Sequence, residues 1–516
     1  MPVAEQTSLP TIIAHARAGS LDRAWAMFAA GHGESRDPAA LAIKGRLLKD
    51  RALRVPGEAR AALYGEAAEA YAAAAGDDGA SYPLINAATL SLLSGDAGKA
   101  AGLAGQVLAR IEANPDEPET PYYLAATRAE ARLLLGQAAE AQAALGKAVA
   151  LAPRAWEDHA STLRQFALIL SAQGADAGWL DAYRPGRSLH FGGHMSFRAD
   201  ARPTPLTERI AALIAEENVG FGYGALAGGA DILVAEALVA AGAELHLVIP
   251  GGLDAFAALS VDPFGGEWRR RFDAMVERAA TVRAVEPLNL LPDAIGIALA
   301  DEIAMGTARI NARQYASEAL QLIVLAEGAD EARNHSLRVW ASGGGRQLIL
   351  RAPRDPVDPP LPAPPRRQAC LAALAVRANG DALTAVADVL ARGPATAVAP
   401  SFTGEAVLLA FDAIGDAAAC AVAVAGAVPG AAVGGYYGIA ETVADPFSRD
   451  AKLAGRALAI ASAAAGSALP GSACISDDFA AALAAAEPGR FSAEYVGELD
   501  GARAAAPVGL FALRAL

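Results

Sequence analysis

At 516 residues the chain is far longer than one average domain, so several separately cored domains are expected. A formal charge of −14 weighs against nucleic acid or an anionic membrane as partners, since both are held by clustered Lys and Arg. Cys370, Cys420 and Cys474 are too few and too scattered for a disulfide framework or a Cys-x-x-Cys metal site; the opening residues MPVAEQTSLPTIIAHA lack the basic flank and apolar core of an export signal, so a cytoplasmic protein without metal is expected.

Residues 1–180 read as helix after helix, with breaks at Gly19 and Ser20, at 31–37, 76–81, Gly95 and Asp96, 114–119, Gly136 and Pro153, and no segment of strand period. Two stretches repeat one plan about forty residues apart: YPLINAATLSLLSGDAGKAAGLAGQVLARI from 82, and YYLAATRAEARLLLGQAAEAQAALGKAVALAP from 122. In each, an apolar helix ends in a glycine turn and an Ala-rich helix follows. Such units cannot bury a face alone, and stacking them gives the single core of an all-α helical-repeat solenoid. The second unit, through LLLGQAAEAQAALGKAVALAP, resembles a tetratricopeptide repeat; the first, through YPLINAA at 82–88, resembles the TRAF-binding region of stress-activated kinase kinase kinases. The resemblance implies a scaffold that docks a protein partner. Tyr71, Tyr122 and Tyr123 read as core.

Residues 181–352 change period. Strands are expected at 188–191, 222–226, 245–249, 281–285, 321–325 and 348–350, with helices between most of them. Alternation of this kind predicts an α/β, Rossmann-like, doubly wound parallel sheet whose ligand crevice lies beyond the carboxyl ends of the strands. Three glycine-rich corners fall at that edge: Gly192, Gly193 and His194 after the first strand, Gly228 and Gly229 after the second, Pro250, Gly251 and Gly252 after the third. A helix expected from Asp231 to Ala241 starts at the second corner, and its free N–H groups and dipole favour a phosphate there. One such turn fits a plain strand-to-helix corner as well as a ligand cradle; three along one edge favour a nucleotide or sugar-phosphate pocket. His190 and His194 lie on a strand and its loop, where a four-residue spacing does not bring them to one face as a metal pair. His194 is a candidate hydrogen-bond donor at the pocket or a plain loop residue, and Arg187 is an alternative anion partner.

The segment GALAGGADILVAEALVAAGAELHLVIPGGLDAF from 224 resembles the SLOG superfamily, a Rossmann-like group that includes DprA, the LOG phosphoribohydrolases and the nucleotide-sensing domains of TRPM channels. The matching residues are Gly228, Gly229, Asp231, Glu236 and the strand end at 248–250. The resemblance implies a nucleotide or NAD-derived ligand at the Gly228–Gly229 turn. The PGGxGTxxE segment that supplies the catalytic residues of LOG enzymes is absent, so sensing is expected rather than turnover. An N-glycosidase with Glu236 or Asp231 as acid or nucleophile is the alternative.

Residues 353–367 form a proline-dense spacer of mixed charge. Beyond it, 368–516 alternate strands and helices in another order: strands at 370–376, 396–400, 405–411 and 433–440, helices at 381–391 and up to 425, then further helices and a closing strand pair. The uncharged run 417–440 is long enough to cross a bilayer, but it is mostly Ala and Gly, contains Pro429, Tyr436 and Tyr437, and reads as a buried helix followed by a strand. SFTGEAVLLAFDAIGDAAACAVAVA from 401 and DPFSRDAKLAGRALAIASAAAGSALPGSACISDDFAAAL from 445 resemble a class III nucleotide cyclase, which implies an α+β, ferredoxin-like domain. Carried over residue by residue, the first metal-binding Asp falls at Ala373, the second at Glu405, and the transition-state Asn at Lys452, while Asp445 and Arg456 remain. A cyclase without its first metal carboxylate is expected to be inactive and retained for homodimerisation or regulation. The whole reads as a signalling or stress-sensing scaffold; pure protein interaction is the further alternative.

Overall fold

The computed structural model describes residues 8–17, 20–76, 80–115, 117, 119–197, 204–285, 292–354, 360–363, 368–446, 449–499 and 507–516. The break expected at Gly19, the middle of that at 76–81, and residues 355–359 and 364–367 of the proline-dense spacer lie outside them. The chain divides into two compact units, Met1–Pro185 with Gln314–Ala316, and Gly186–Arg313 with Ser317–Leu516.

The first unit is helical throughout among its described residues: α1 (Leu9–Arg17), α2 (Leu21–His32), α3 (Pro38–Ala52), α4 (Gly57–Ala75), α5 (Ser81–Leu93), α6 (Ala97–Ala113), α7 (Pro121–Leu134), α8 (Ala138–Leu151) and α9 (Trp156–Gln173), followed by a 3₁₀ turn, Gly178–Tyr183. The punctuation is chemical. Asp96 accepts the Lys99 N–H at the start of α6, Thr120 accepts the Tyr123 N–H at the start of α7 with Pro121 behind it, and Gly174 closes α9 in the left-handed conformation. Each helix from α1 to α8 packs on the next, and α5, α7 and α9 also meet one another. Half-buried Glu130 ties these three together, accepting from Thr89 Oγ1 of α5 at 2.6 Å and Gln165 Nε2 of α9 at 3.1 Å. Tyr71 and Tyr122 are buried as expected; Tyr123 is half-buried and donates to Asp158.

The second unit holds two sheets. The first is parallel throughout, in the order β4-β3-β2-β1-β5-β6, from β1 (Arg187–Gly193), β2 (Val219–Gly224), β3 (Glu244–Ile249), β4 (Thr281–Ala284), β5 (Ala319–Ala326) and β6 (Arg346–Ala352). The strand expected at 222–226 starts three residues earlier and ends two earlier, because Ala225 to Ala227 already turn toward the next helix. Alternation along the central strands explains the two covered faces. Leu189, Phe191, Leu320, Leu322 and Val324 pack under α10 (Thr204–Glu216), α11 (Ala230–Ala240), α12 (Leu253–Ser260) and α13 (Gly266–Arg278). Ser188, His190, Gln321 and Ile323 point the other way, toward α14 (Ala294–Gln314) and α15 (His335–Ser342). The strand order reverses direction between β1 and β5, so the switch point lies there.

The second sheet runs β13-β14-β12-β10-β7-β9-β8 with β11 beside β10: β7 (Gln368–Arg377), β8 (Ser401–Phe402), β9 (Ala406–Phe411), β10 (Ala432–Ala444), β11 (Ala451–Ala454), β12 (Ser472–Ser476), β13 (Phe491–Leu499) and β14 (Val508–Ala515). Only β10 and β12 pair in parallel. The strand expected at 396–400 is instead an irregular approach to β8: the Ala397 N–H bonds Ala410 O, and pairing starts only at Ser401. Helix α18 (Arg456–Ser467) covers one face, while α17 (Ile414–Ala427) and α19 (Asp477–Ala486), with α16 (Gly380–Leu390) on α17, cover the other. The uncharged run at 417–440 is thus the buried face of α17 and the central strand β10. Among the described residues no helix is long and apolar enough to cross a membrane.

The two sheets join through α14. A Cβ at Gly306 would lie 1.6 Å from Ala481 O, so α14 and α19 touch backbone to backbone. Met305, Trp340 and Ala485 form an apolar cluster beside that contact, Arg283 of β4 pairs with Asp477 and Asp478, and Tyr437 of β10 donates to Glu302 at 2.7 Å.

Candidate functional site

A cavity of about 390 Å³ opens at the carboxyl ends of β1 and β5. Its apolar walls include Phe191, Phe256, Leu259, Ile297 and Ile323, and its polar side chains are His194, Asp231, Ser260, Asp301, Asn334, Ser336 and Arg354. Of the residues marked in the sequence, Gly192, Gly193, His194, Asp231 and Pro250 line it; Gly228, Gly229, Glu236 and Gly251 do not. Asp301, Asn334, Ser336 and Arg354 were missed.

The glycine corner works differently from a phosphate cradle. The Gly228 N–H donates to Ser260 O, the Ala230 N–H to His194 O, and the Ala227 N–H to Asp231 Oδ2, while Gly228 O accepts from the Ser196 N–H. These donors are already used to hold the 194–196 segment and α12 against the start of α11. Gly229, at φ 154°, has no room for a side chain: a Cβ would meet His194 O at 2.7 Å. Gly193 is a close-approach glycine as well, since a Cβ there would lie 2.5 Å from that of Ala230. Glu236 is bound on both oxygens by Arg271, at 2.7 and 2.6 Å, and that guanidinium lies over Trp268. Arg187 pairs with Glu217 and Glu318 at the opening end of β1, the end away from the cavity, so it does not serve as an anion partner there.

Asp301 is held from beneath. Gln321 Nε2 donates to His190 Nδ1 and to Ser336 O, which leaves the ring proton on His190 Nε2, and that nitrogen lies 2.9 Å from Asp301 Oδ1. Ser336 Oγ donates to Asp301 Oδ2, and Gln347 Nε2 donates to Gln321 Oε1 and Leu337 O. The net effect lowers the Asp301 pKa despite its burial, which acts in the opposite direction. Asp231 is in the opposite state: burial pushes its carboxyl up to about 7, with the nearby charge of Asp301 adding to it. His194 is lowered by burial; its Nδ1 faces Met195 O and Ser196 O, so it carries the proton and Nε2 is a bare acceptor. The cavity therefore holds an anionic carboxylate, a second carboxyl that titrates near neutrality, and a neutral imidazole.

In the second sheet the sequence-marked positions are scattered among structural tasks. Ala373 is fully buried in β7, facing α18 in a cluster with Leu371, Tyr436 and Ile460. Glu405 is exposed in the turn before β9. Asp445 closes the β10–β11 hairpin through backbone bonds with Arg449 and Asp450, Lys452 Nζ donates to Pro400 O, and Arg456 opens α18. Phe447 and Ser448 of the motif lie outside the described residues.

The Tetratricopeptide Repeats-Sensor family model matches residues 8–91, which lie in the helical unit and end before the second repeat at 122–153. No curated protein matches the chain. Among solved structures, the guanylyl cyclase Cya2 is similar at 14% identity over 29% of this chain and 93% of its own, with a TM-score of 0.25. The adenylyl cyclase CyaB from P. aeruginosa is 12% identical over 29% of this chain and 96% of its own, TM-score 0.25, and the adenylate/guanylate cyclase/hydrolase from Silicibacter pomeroyi 17% identical over 28% and 96%, TM-score 0.24. The chain thus combines a helical region similar to sensor-type tetratricopeptide repeats with a region similar to nucleotide cyclases.

Proposed function

We propose that the protein is a signalling scaffold whose helical unit docks a protein partner, whose parallel-sheet module, SLOG-like in sequence, binds a nucleotide or NAD-derived ligand, and whose cyclase-like module is catalytically inactive. The observation that carries the reading is the cavity at the β1–β5 switch point, where open α/β sheets receive ligands, with the Asp231 carboxyl buried on its wall and Oδ1 unpartnered. Ala373 supports the inactive cyclase, because an alanine enclosed by apolar neighbours supplies no metal carboxylate. Calorimetry of the full chain with AMP, ADP-ribose and NAD should give saturable binding. Ile297→Trp, on a cavity-lining residue 38% exposed and so replaceable without disturbing the core, should weaken that binding at least about tenfold at unchanged melting temperature. Binding unaffected by this substitution overturns the site. ATP or GTP with manganese should yield no cyclic nucleotide.

The pair of carboxyls with pKa values pushed apart favours one second reading, an N-glycosidase in the same cavity. Water would add to the anomeric carbon as the C–N bond breaks, with Asp231 protonating the departing nitrogen and Asp301 accepting the water proton. Glu236, tied to Arg271, has no part in it. Release of free base from a bound nucleotide, abolished in Asp231→Asn, would favour this reading over sensing.

A further inference from the structure

Three positions of β1 and its end converge on the cavity. His190 anchors Asp301, Gly193 lends its backbone to the Asp231 carboxylate, and His194 turns into the cavity as the strand ends. Asp231 is 5% exposed, its Oδ2 takes the Ala227 N–H, and its Oδ1 has no hydrogen-bond partner among the described residues. His194 Nε2 is likewise buried and unpartnered, and the ring proton sits on the other nitrogen. Asp301 adds oxygens that only accept. The cluster is thus rich in acceptors, and atoms of this kind buried without a partner favour a ligand that brings donors.

This composition selects among the parts of a nucleotide. A phosphate would bring acceptor-only oxygens and negative charge against Asp301 and Asp231. A purine edge alternates donors and acceptors in its plane. A hydroxyl donates to an ionised carboxylate or to His194 Nε2, and it also accepts if Asp231 Oδ1 carries a proton, so it fits either state of that carboxyl. Arg354, another cavity-lining residue, donates through Nε to Met195 O and supplies positive charge for an anionic portion of the same ligand.

We propose that Asp231, Asp301 and His194 bind the vicinal hydroxyls of a ribose, and that the phosphate of the ligand lies away from the Gly228–Gly229 turn. This rests on the reading of the cavity as a nucleotide site and specifies how it is filled. The test is calorimetry of the full chain with AMP and with 2′,3′-dideoxy-AMP. AMP should bind at least about tenfold more tightly, the scale of hydrogen bonds to a charged acceptor. Asp301→Asn should remove most of that difference by weakening AMP alone; Asp231→Asn is the second variant, with thermal unfolding used to check that each folds. Equal affinity of the two nucleotides for the wild type overturns the ribose assignment and leaves the nucleotide site standing. Failure of both nucleotides to bind overturns the assignment together with the reading beneath it.

Discussion

Asp231 shows how one residue's surroundings decide its chemistry. Its carboxyl caps the turn before α11 and faces the cavity, with Asp301 and His194 as the titratable groups nearby and Arg354 as the charged one. A carboxyl raised from 3.8 to about 7 binds more protons in the folded than in the unfolded protein between those values. Its contribution to stability is therefore full below about pH 4 and lost as pH rises toward 7, at about 1.4 kcal/mol for each unit of the interval. Asp231→Asn should remove this loss, so the melting temperature of the variant should fall less than that of the wild type between pH 5 and 7.5. Parallel pH profiles would mean that the carboxyl ionises freely in the fold. None of this was legible in the sequence. The position of Asp231 at a helix start could be read, but its burial and its neighbour Asp301, seventy residues away in the middle of a helix, depend on tertiary packing.

At the scale of elements, glycines carried most of the readable information, though not always its meaning. The corners after β1, β2 and β3 stand where the sequence puts them. At the first two corners, however, the His194, Gly228 and Ala230 N–H groups are spent on protein carbonyls, and which N–H groups stay free depends on loops such as 194–196 and 260–261 that carry no periodic signal. Gly306 carries no signal in the sequence, since a glycine within an Ala-rich helix looks like composition. It is the residue that lets α14 cross α19 in direct contact. Gly306→Ala should destabilise by about 1–3 kcal/mol or more, because the clashing atom is a backbone carbonyl with no alternative rotamer. Gly105→Ala in α6, where the added methyl meets open space, should instead stabilise by about 0.5–1 kcal/mol. Thermal unfolding of the two variants separates helix propensity from packing, and a stabilising Gly306→Ala would disprove the close crossing.

Across the second unit, Gly186–Arg313 with Ser317–Leu516, α14 up to Arg313 is the element both sheet modules share. Asp301 faces the cavity, and the next residue, Glu302, accepts from Tyr437 of β10 and faces His335 of α15 at 2.8 Å. The partnership raises the His335 pKa, chiefly through that hydrogen bond. Ligand contact at Asp301 and module contact at Glu302 are thus made by neighbouring residues of one rigid helix, with Gly306 against α19 one turn further on. Such an arrangement transmits an effect only if the helix has two positions that the ligand distinguishes. Hydrogen exchange of the full chain gives the measurement: AMP should slow exchange in β10 and α19 as well as around the cavity. Tyr437→Phe, which keeps the ring and removes the bond to Glu302, should diminish the distant protection while AMP affinity stays within about threefold, a coupling of less than about 0.7 kcal/mol. If AMP protects only the cavity in the wild type, the module built on β7–β14 is a passive support for the parallel sheet; if it protects both and Tyr437→Phe changes nothing, the coupling runs through the Gly306–Ala481 contact instead.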